Sequence, residues 1–197
     1  MGHVSFHGVP LRTAPGRVMT PRRTTEQLVA AALERLPGHP ARVVDVGTGS
    51  GAIAIALAAA ASESEVWATD TSPGAVALAR ANVRRHRLSG RVHVRNGDLL
   101  EPVPDGIDLV VANLPYLPAA DAACYPDLAD EPATAIFAPG DGLEPYRRLL
   151  VACEERLSGD AAIVIQFHRR VLSATRDEMP ALRARLEQDT LPMAAAA

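Results

Sequence analysis

Four short segments set polar or glycine-rich residues against apolar runs. "DVGTGSGA" (Asp45 to Ala52) places three glycines after a β-branched run, and "EVWATD" ends on Asp70. "VRNGDLL" carries Asp98 and Leu99, and "DLVVANLPYLP" ends an apolar run on Asn113, followed by a turn stiffened by Pro115. Gly47, Gly49 and Gly51 permit a sharp turn and close backbone approach to a ligand, while a helix starting there offers unpaired N–H groups. Asp70 follows about twenty residues later, where a carboxylate can accept both hydroxyls of a ribose. A dinucleotide and S-adenosylmethionine both fit that pattern. Asp45, two residues before the first glycine, is placed to meet a cationic amino group. S-adenosylmethionine has such a group at its methionine end and a dinucleotide has none; the structural alternative for Asp45 is an acid bracing its own loop. Asp98 and Leu99 suit an adenine pocket, as acceptor and apolar wall, with a turn or cap role as the alternative for Asp98.

Asn113 points to group transfer. A nitrogen about to be methylated must be held in line with the methyl donor. An amino or amide nitrogen carries two hydrogens, and acceptors for both fix its orientation. The side-chain oxygen of Asn113 and a backbone carbonyl such as that of Pro115 are two such acceptors, and Tyr116 offers an aromatic wall to a planar group. The segment reads as a clamp for a planar –NH2; an asparagine capping a strand end is the alternative.

Positioning these groups takes alternating strands and helices. "RVVDVG", "EVWATD", "RVHVRNGD", "IDLVVANLPY" and "AAIVIQF" read as five strands. "GAIAIALAAAA", "SPGAVALARANVRRH" (Ser72 as N-cap, Pro73 at the first position) and "LEPYRRLLVACEERL" read as helices between them. "TTEQLVAAALERL" is an earlier helix, with Thr24 and Gln27 in the spacing of a capping box. Residues 117–142 form a long functional loop. The fold class is α/β, Rossmann-like, with a mostly parallel sheet flanked by helices, in which ligands bind beyond the carboxyl ends of the strands. "HRRVLSATRDEMPALRARLEQDT" reads as a helix kinked near Pro180, so a C-terminal antiparallel strand pair is expected to be missing, leaving a sheet edge to be covered.

Composition narrows the function classes. A chain of 197 residues, 48% hydrophobic, suits one domain with a sizeable core. No apolar run is long enough to span a membrane, and no export signal is visible. Two cysteines make no disulfide framework and no metal-ligand spacing occurs, so a cytoplasmic protein without metal is expected. The net charge of −3 gives no general reason to bind nucleic acid. Arg80, Arg84, Arg85, Arg87, Arg91 and Arg95 read as a solvated face near a helix end. His86, His93 and His168 read as surface or strand residues, Cys124 as a small apolar residue, and Asp121, Asp127, Asp130 and Glu131 as a solvated loop.

From about Phe6 to Phe167 the sequence resembles the HemK/PrmC family of protein-(glutamine N5) methyltransferases. "FHGVPLRTAPGRVMTPRRTTEQLV", "VVDVGTGSGAIAIALA", "NGDLLEPVPDGIDLVVANLPYLP" and "DEPATAIFAPGDGLEPYRRLL" carry the resemblance. It implies a class I methyltransferase domain over 21–197, after a lead-in of 1–20. Asp45, Gly47, Thr48, Gly49, Ser50, Gly51, Asp70, Asp98, Leu99 and Asn113 would bind S-adenosylmethionine. Asn113, Leu114, Pro115 and Tyr116 would hold the substrate glutamine of a protein, by resemblance a release factor or ribosome-associated protein, and Asn113, Pro115 and Tyr116 would serve catalysis. Leu114 replaces the first proline of the family's Asn-Pro-Pro-Tyr, and Asn-Leu-Pro-Tyr also resembles ribosomal RNA adenine dimethylases. Adenine-N6 methylation is therefore an alternative. Gln166 stands where the family has an acid. The family's helical N-terminal domain has no counterpart before Pro21, which implies a docking or activating partner, a homodimer, or a cofactor-binding remnant of weak activity.

Overall fold

The computed structural model describes residues 2–157, 159–168 and 170–188. Strands β1 (Gly2–Phe6) and β2 (Val9–Thr13) form a hairpin. Helix α1 (Glu26–Glu34) leads to β3 (Arg42–Val46), α2 (Ala52–Ala60), β4 (Glu65–Asp70), α3 (Pro73–Arg85), β5 (Val92–Asn96) and β6 (Leu109–Ala112). Two short strands, β7 (Leu117–Pro118) and β8 (Phe137–Ala138), pair within the long loop. Helix α4 (Glu144–Arg156), β9 (Ala162–Phe167), β10 (Arg170–Thr175) and α5 (Met179–Gln188) follow.

The central sheet runs β10-β9-β6-β3-β4-β5. Its first five strands in sequence are parallel, and β10 joins antiparallel to β9. Both faces are covered, so β6 and β9 are buried at every position, as their unbroken apolar runs require. Alternate residues serve opposite faces. Val43, Leu109, Val111 and Val164 pack with α1, α2 and α3, and Val44, Val110, Ala112 and Ile163 pack with α4 and α5. Helix α2 is apolar on every side because the sheet, α1, α3 and the hairpin residues Phe6 and Leu11 all close on it. Buried Asn82 of α3 fastens that hairpin: its Oδ1 accepts the Arg12 N–H, and its Nδ2 donates to the carbonyls of Arg12 and Ser50.

Two local expectations fail. Thr24 and Gln27 form no capping box. A 3-10 turn, Arg23–Thr25, runs straight into α1, leaving Thr25 at the N-cap with helical backbone (φ −77°, ψ −12°) and no side-chain cap. Capping needs an extended N-cap residue. The stretch after Phe167 does not continue as a helix either. Residues 170–175 form β10, with Leu172 and Ala174 buried and Leu172 opposite Ile165. The unpaired edge of β9 and this period-2 burial override the apparent helical spacing. Pro180 lies in the first turn of α5 rather than kinking it, a position where proline is tolerated. A capping box between Thr175 and Glu178 precedes it. Asp189, Thr190 and the closing "PMAAAA" lie outside the described residues. Among the described residues the sheet therefore has one antiparallel strand where a missing pair is expected.

Tyr146 of α4 joins the ends of two strands. Its fully buried hydroxyl donates to the Gln166 carbonyl at 2.5 Å and accepts the Leu114 N–H at 3.0 Å. Tyr146→Phe keeps the ring and strands both backbone groups, so stability should fall by about 1–3 kcal/mol. Denaturant unfolding measures this, and an unchanged midpoint would remove Tyr146 as the anchor.

Candidate active site

A cavity of about 300 Å³ opens at the carboxyl ends of β3, β4 and β6. Gly47, Gly49, Asp70, Asp98, Leu99, Asn113, Leu114 and Pro115 line it. Asp45, Thr48, Ser50, Gly51 and Tyr116 are not on its wall.

The glycine loop is sewn onto β4. The N–H groups of Gly47 and Thr48 both donate to the Thr69 carbonyl at 2.9 Å, and that of Gly49 donates to Asp70 Oδ2 at 2.9 Å. Gly47 has φ +73°, and a Cβ there would sit 2.7 Å from Leu114 Cδ2. Leu114 thus packs directly on the loop, in space that only glycine leaves. Asp45 lies wholly buried beneath. Its Oδ2 accepts from the Thr48 hydroxyl at 2.6 Å and the Ala54 N–H at 3.1 Å, while Oδ1 has no partner among the described residues. Burial is the main influence on its carboxyl and raises its pKa from 3.8 to about 7 against the pull of those two hydrogen bonds.

Asp70 splits its carboxylate between Gly49 and the Ser72 N–H, 2.9 Å from Oδ1. Each carboxylate oxygen can accept a further hydrogen bond, and Asp70 lines the cavity. Leu99 is held at φ +46°, a left-handed conformation costly for leucine, and its carbonyl accepts from the Thr69 hydroxyl at 2.8 Å. Asp98 forms an ion pair with Arg148 of α4, which also reaches the cavity wall.

The segment from Asn113 to Leu117 is braced on several sides. Asn113 Nδ2 donates to Thr25 Oγ1 at 3.3 Å, and Tyr146 holds Leu114. The N–H groups of Tyr116 and Leu117 donate to the Ile136 carbonyl at 3.2 and 3.1 Å. A Cβ on Gly142 (φ +85°) would collide with the Tyr116 carbonyl, which accounts for the glycine before α4. The Tyr116 ring meets Phe167 edge-on and packs against His168, with centroids at 5.5 and 5.0 Å, and burial raises its hydroxyl pKa. Beside Asn113, one residue beyond the Ala112–Ile165 pair, Gln166 has a buried Oε1 with no partner among the described residues.

Arg17, Val18 and Met19 from the lead-in, and Pro132, Thr134 and Ala135 from the long loop, also line the cavity. No spacing in the sequence marks them. The two segments are tied by the Thr20 N–H, which donates to Glu131 Oε2 at 3.1 Å, so Glu131 does more than face solvent. Three residues read as surface or strand groups also have structural duties. Arg91 donates to the Ala58, Ala61 and Ser64 carbonyls at the end of α2, and His93 pairs with Glu65. His86 Nε2 lies 2.8 Å from the Pro10 carbonyl. Cys124 is exposed, whereas burial pushes the Cys153 thiol up to about 12. Among the described residues no three His, Cys, Asp or Glu side chains gather to hold a metal, and no helix is long and apolar enough to cross a membrane.

The fold and the cavity define a class I methyltransferase. Over most of its length the chain superposes on the hMettl16 catalytic domain solved with a MAT2A 3'UTR hairpin (TM-score 0.68, 18% identity, covering 94% of this chain and 69% of that one). The sequence model of the methyltransferase small domain matches residues 24–128. A release factor glutamine methyltransferase of Moorella thermoacetica is 37% identical over 97% of this chain and 68% of its own length. That of Geobacter sulfurreducens is 40% identical over 85% of this chain and 58% of its own. The chain belongs to the release factor glutamine methyltransferase family, whose members depend on S-adenosylmethionine, and it spans 58% to 68% of the length of these two relatives.

The buried carboxyl of Asp45 predicts a pH signature. An acid whose folded pKa lies near 7 and whose unfolded value lies near 3.8 holds its proton more tightly when folded. Its contribution to stability therefore falls as pH rises from about 4 to about 7 and is flat above that. Asp45→Asn, which imitates the neutral acid, should remove this decline. Thermal unfolding of both proteins between pH 4.5 and 8 checks it, and parallel curves would count against a protonated Asp45.

Proposed function

We propose that the cavity binds S-adenosylmethionine through Gly47, Gly49, Asp70, Asp98 and Leu99, and that the chain methylates the side-chain amide nitrogen of a glutamine in a release factor. One observation carries the reading: Asn113 and Pro115 line the same cavity as the glycine loop and Asp70. The donor set fits the cofactor. Asp70 has acceptor sites left for a vicinal diol, and Gly47 and Gly49 leave the wall free of side chains. Asp98, its charge balanced by Arg148, stands beside Leu99 where an exocyclic amine and a flat ring would lie. Asp45, Thr48, Ser50 and Gly51 serve from behind the wall, by fixing the loop's shape.

Once bound, S-adenosylmethionine supplies an electrophilic methyl on a sulfonium. The chain's own residues do the remainder by orientation. Asn113 Oδ1 and the Pro115 carbonyl accept the two hydrogens of the glutamine amide, turning its nitrogen toward the methyl. As positive charge develops on that nitrogen, both oxygen dipoles hold it more strongly. The methylated nitrogen sheds its proton readily, so no strong base is required. Tyr116, packed against Phe167 and His168, stiffens the turn that presents Pro115.

Asn113→Ala should lower turnover on a release factor roughly a hundredfold while barely changing S-adenosylmethionine affinity. A variant that turns over normally would refute the clamp. Asp70→Ala should weaken cofactor binding by about 1.5–3 kcal/mol, the range for charged hydrogen bonds. Calorimetry showing unchanged affinity would overturn the ribose assignment.

A further inference from the structure

Thr25 sits at the N-cap of α1, yet its hydroxyl caps nothing. The backbone there is already helical, so the side chain cannot turn back onto the first N–H groups of the helix. The residue is 7% exposed, a setting in which a hydroxyl needs a partner. Among the described residues its Oγ1 meets Asn113 Nδ2, at 3.3 Å and 88 positions away in the chain. A side-chain amide has a donor end and an acceptor end, and which of them faces a ligand decides what the ligand must offer. With the nitrogen of Asn113 occupied by Thr25, its oxygen is the end left for the cavity. Turned about, the –NH2 of Asn113 would face the –NH2 of an incoming amide, donor against donor.

We infer that Thr25 is a positioning residue: its hydroxyl anchors the Asn113 side chain through the amide nitrogen, holding the amide oxygen in place toward an incoming planar –NH2. This rests on the clamp reading of Asn113. The α1 N-terminus is a rigid mount for such a contact. The Leu28 and Val29 side chains one turn on are fully buried against the sheet, so the Thr25 hydroxyl cannot follow Asn113 if that side chain rotates.

The test compares the full chain with Thr25→Val, Thr25→Ser, Asn113→Ala and the Thr25→Val/Asn113→Ala double variant. Methyl transfer to a release factor, S-adenosylmethionine binding by calorimetry and side-chain amide NMR are measured for each. Thr25→Val preserves shape and removes only the hydroxyl. It should lower kcat roughly tenfold to a hundredfold, with KM and cofactor affinity little changed. Thr25→Ser should recover most of the loss, and Thr25→Val should add nothing on top of Asn113→Ala. The amide proton pair missing from the spectrum of Asn113→Ala should move in Thr25→Val and stay in place in Thr25→Ser. An unmoved pair, wild-type turnover in Thr25→Val, or an equal loss in Thr25→Ser overturns the role of Thr25 and leaves the clamp standing. Normal turnover in Asn113→Ala overturns the clamp itself, and the inference with it. Should the chain give no turnover with the release factor used, the NMR comparison decides.

Discussion

Parallel register is the constraint on which everything at the site depends. Val46 lies opposite Thr69 on one side and opposite Ala112 on the other. The next residue of each strand is therefore Gly47, Asp70 or Asn113, in one row across three neighbouring strands. A shift of one residue in either pairing would reverse which face every side chain of that strand serves. The glycine loop would then lose its Thr69 and Asp70 acceptors, and Asn113 would lose Thr25. Burial of both sheet faces fixes the register, because each of these strands must satisfy two apolar layers at once. The core and the active site are thus consequences of the same alignment.

Around that row the chain gathers supports from distant segments. Tyr146 of α4 holds the backbone at Leu114, Asn82 of α3 holds the turn at Ser50, and Thr25 of α1 holds the side chain of Asn113. Each is a buried polar group satisfied by the piece it braces, so loosening one leaves an unpaired donor or acceptor as well as a lost contact. The orientation catalysis proposed for this site would need this rigidity, since a small misplacement of the acceptor atoms would remove the alignment.

Much of this was legible in the sequence. Apolar runs bounded by glycine or acid gave five of the six strands of the central sheet, and the glycine loop and the segment from Asn113 to Tyr116 stand at their ends because parallel strands with crossover helices put all such ends on one side. Ser72 caps α3 through the Ala75 N–H, as the Ser-Pro start signals. These features survive because they are local: the chemistry and the structural signal lie within a few residues of each other.

What the sequence could not show are the pairings between remote segments. Thr24 and Gln27 have capping-box spacing, but a preceding 3-10 turn sets the backbone of Thr25 and frees its hydroxyl for Asn113. Residues 170–175 carry an apolar spacing that admits helix or strand, and only the open edge of β9 chose the strand. Arg17, Thr134 and Arg148 reach the cavity from three separate elements with no motif to announce them. Asp45 is the clearest division. Its place before the glycines marks it as part of the loop, but only complete burial under that loop, with Thr48 and Ala54 on one oxygen and no partner among the described residues on the other, raises its pKa and removes it from the cavity wall. The sequence by itself determined which residues stand at the strand ends; tertiary packing decided which of them face the cavity, because burial and long-range hydrogen bonds have no signature in local spacing.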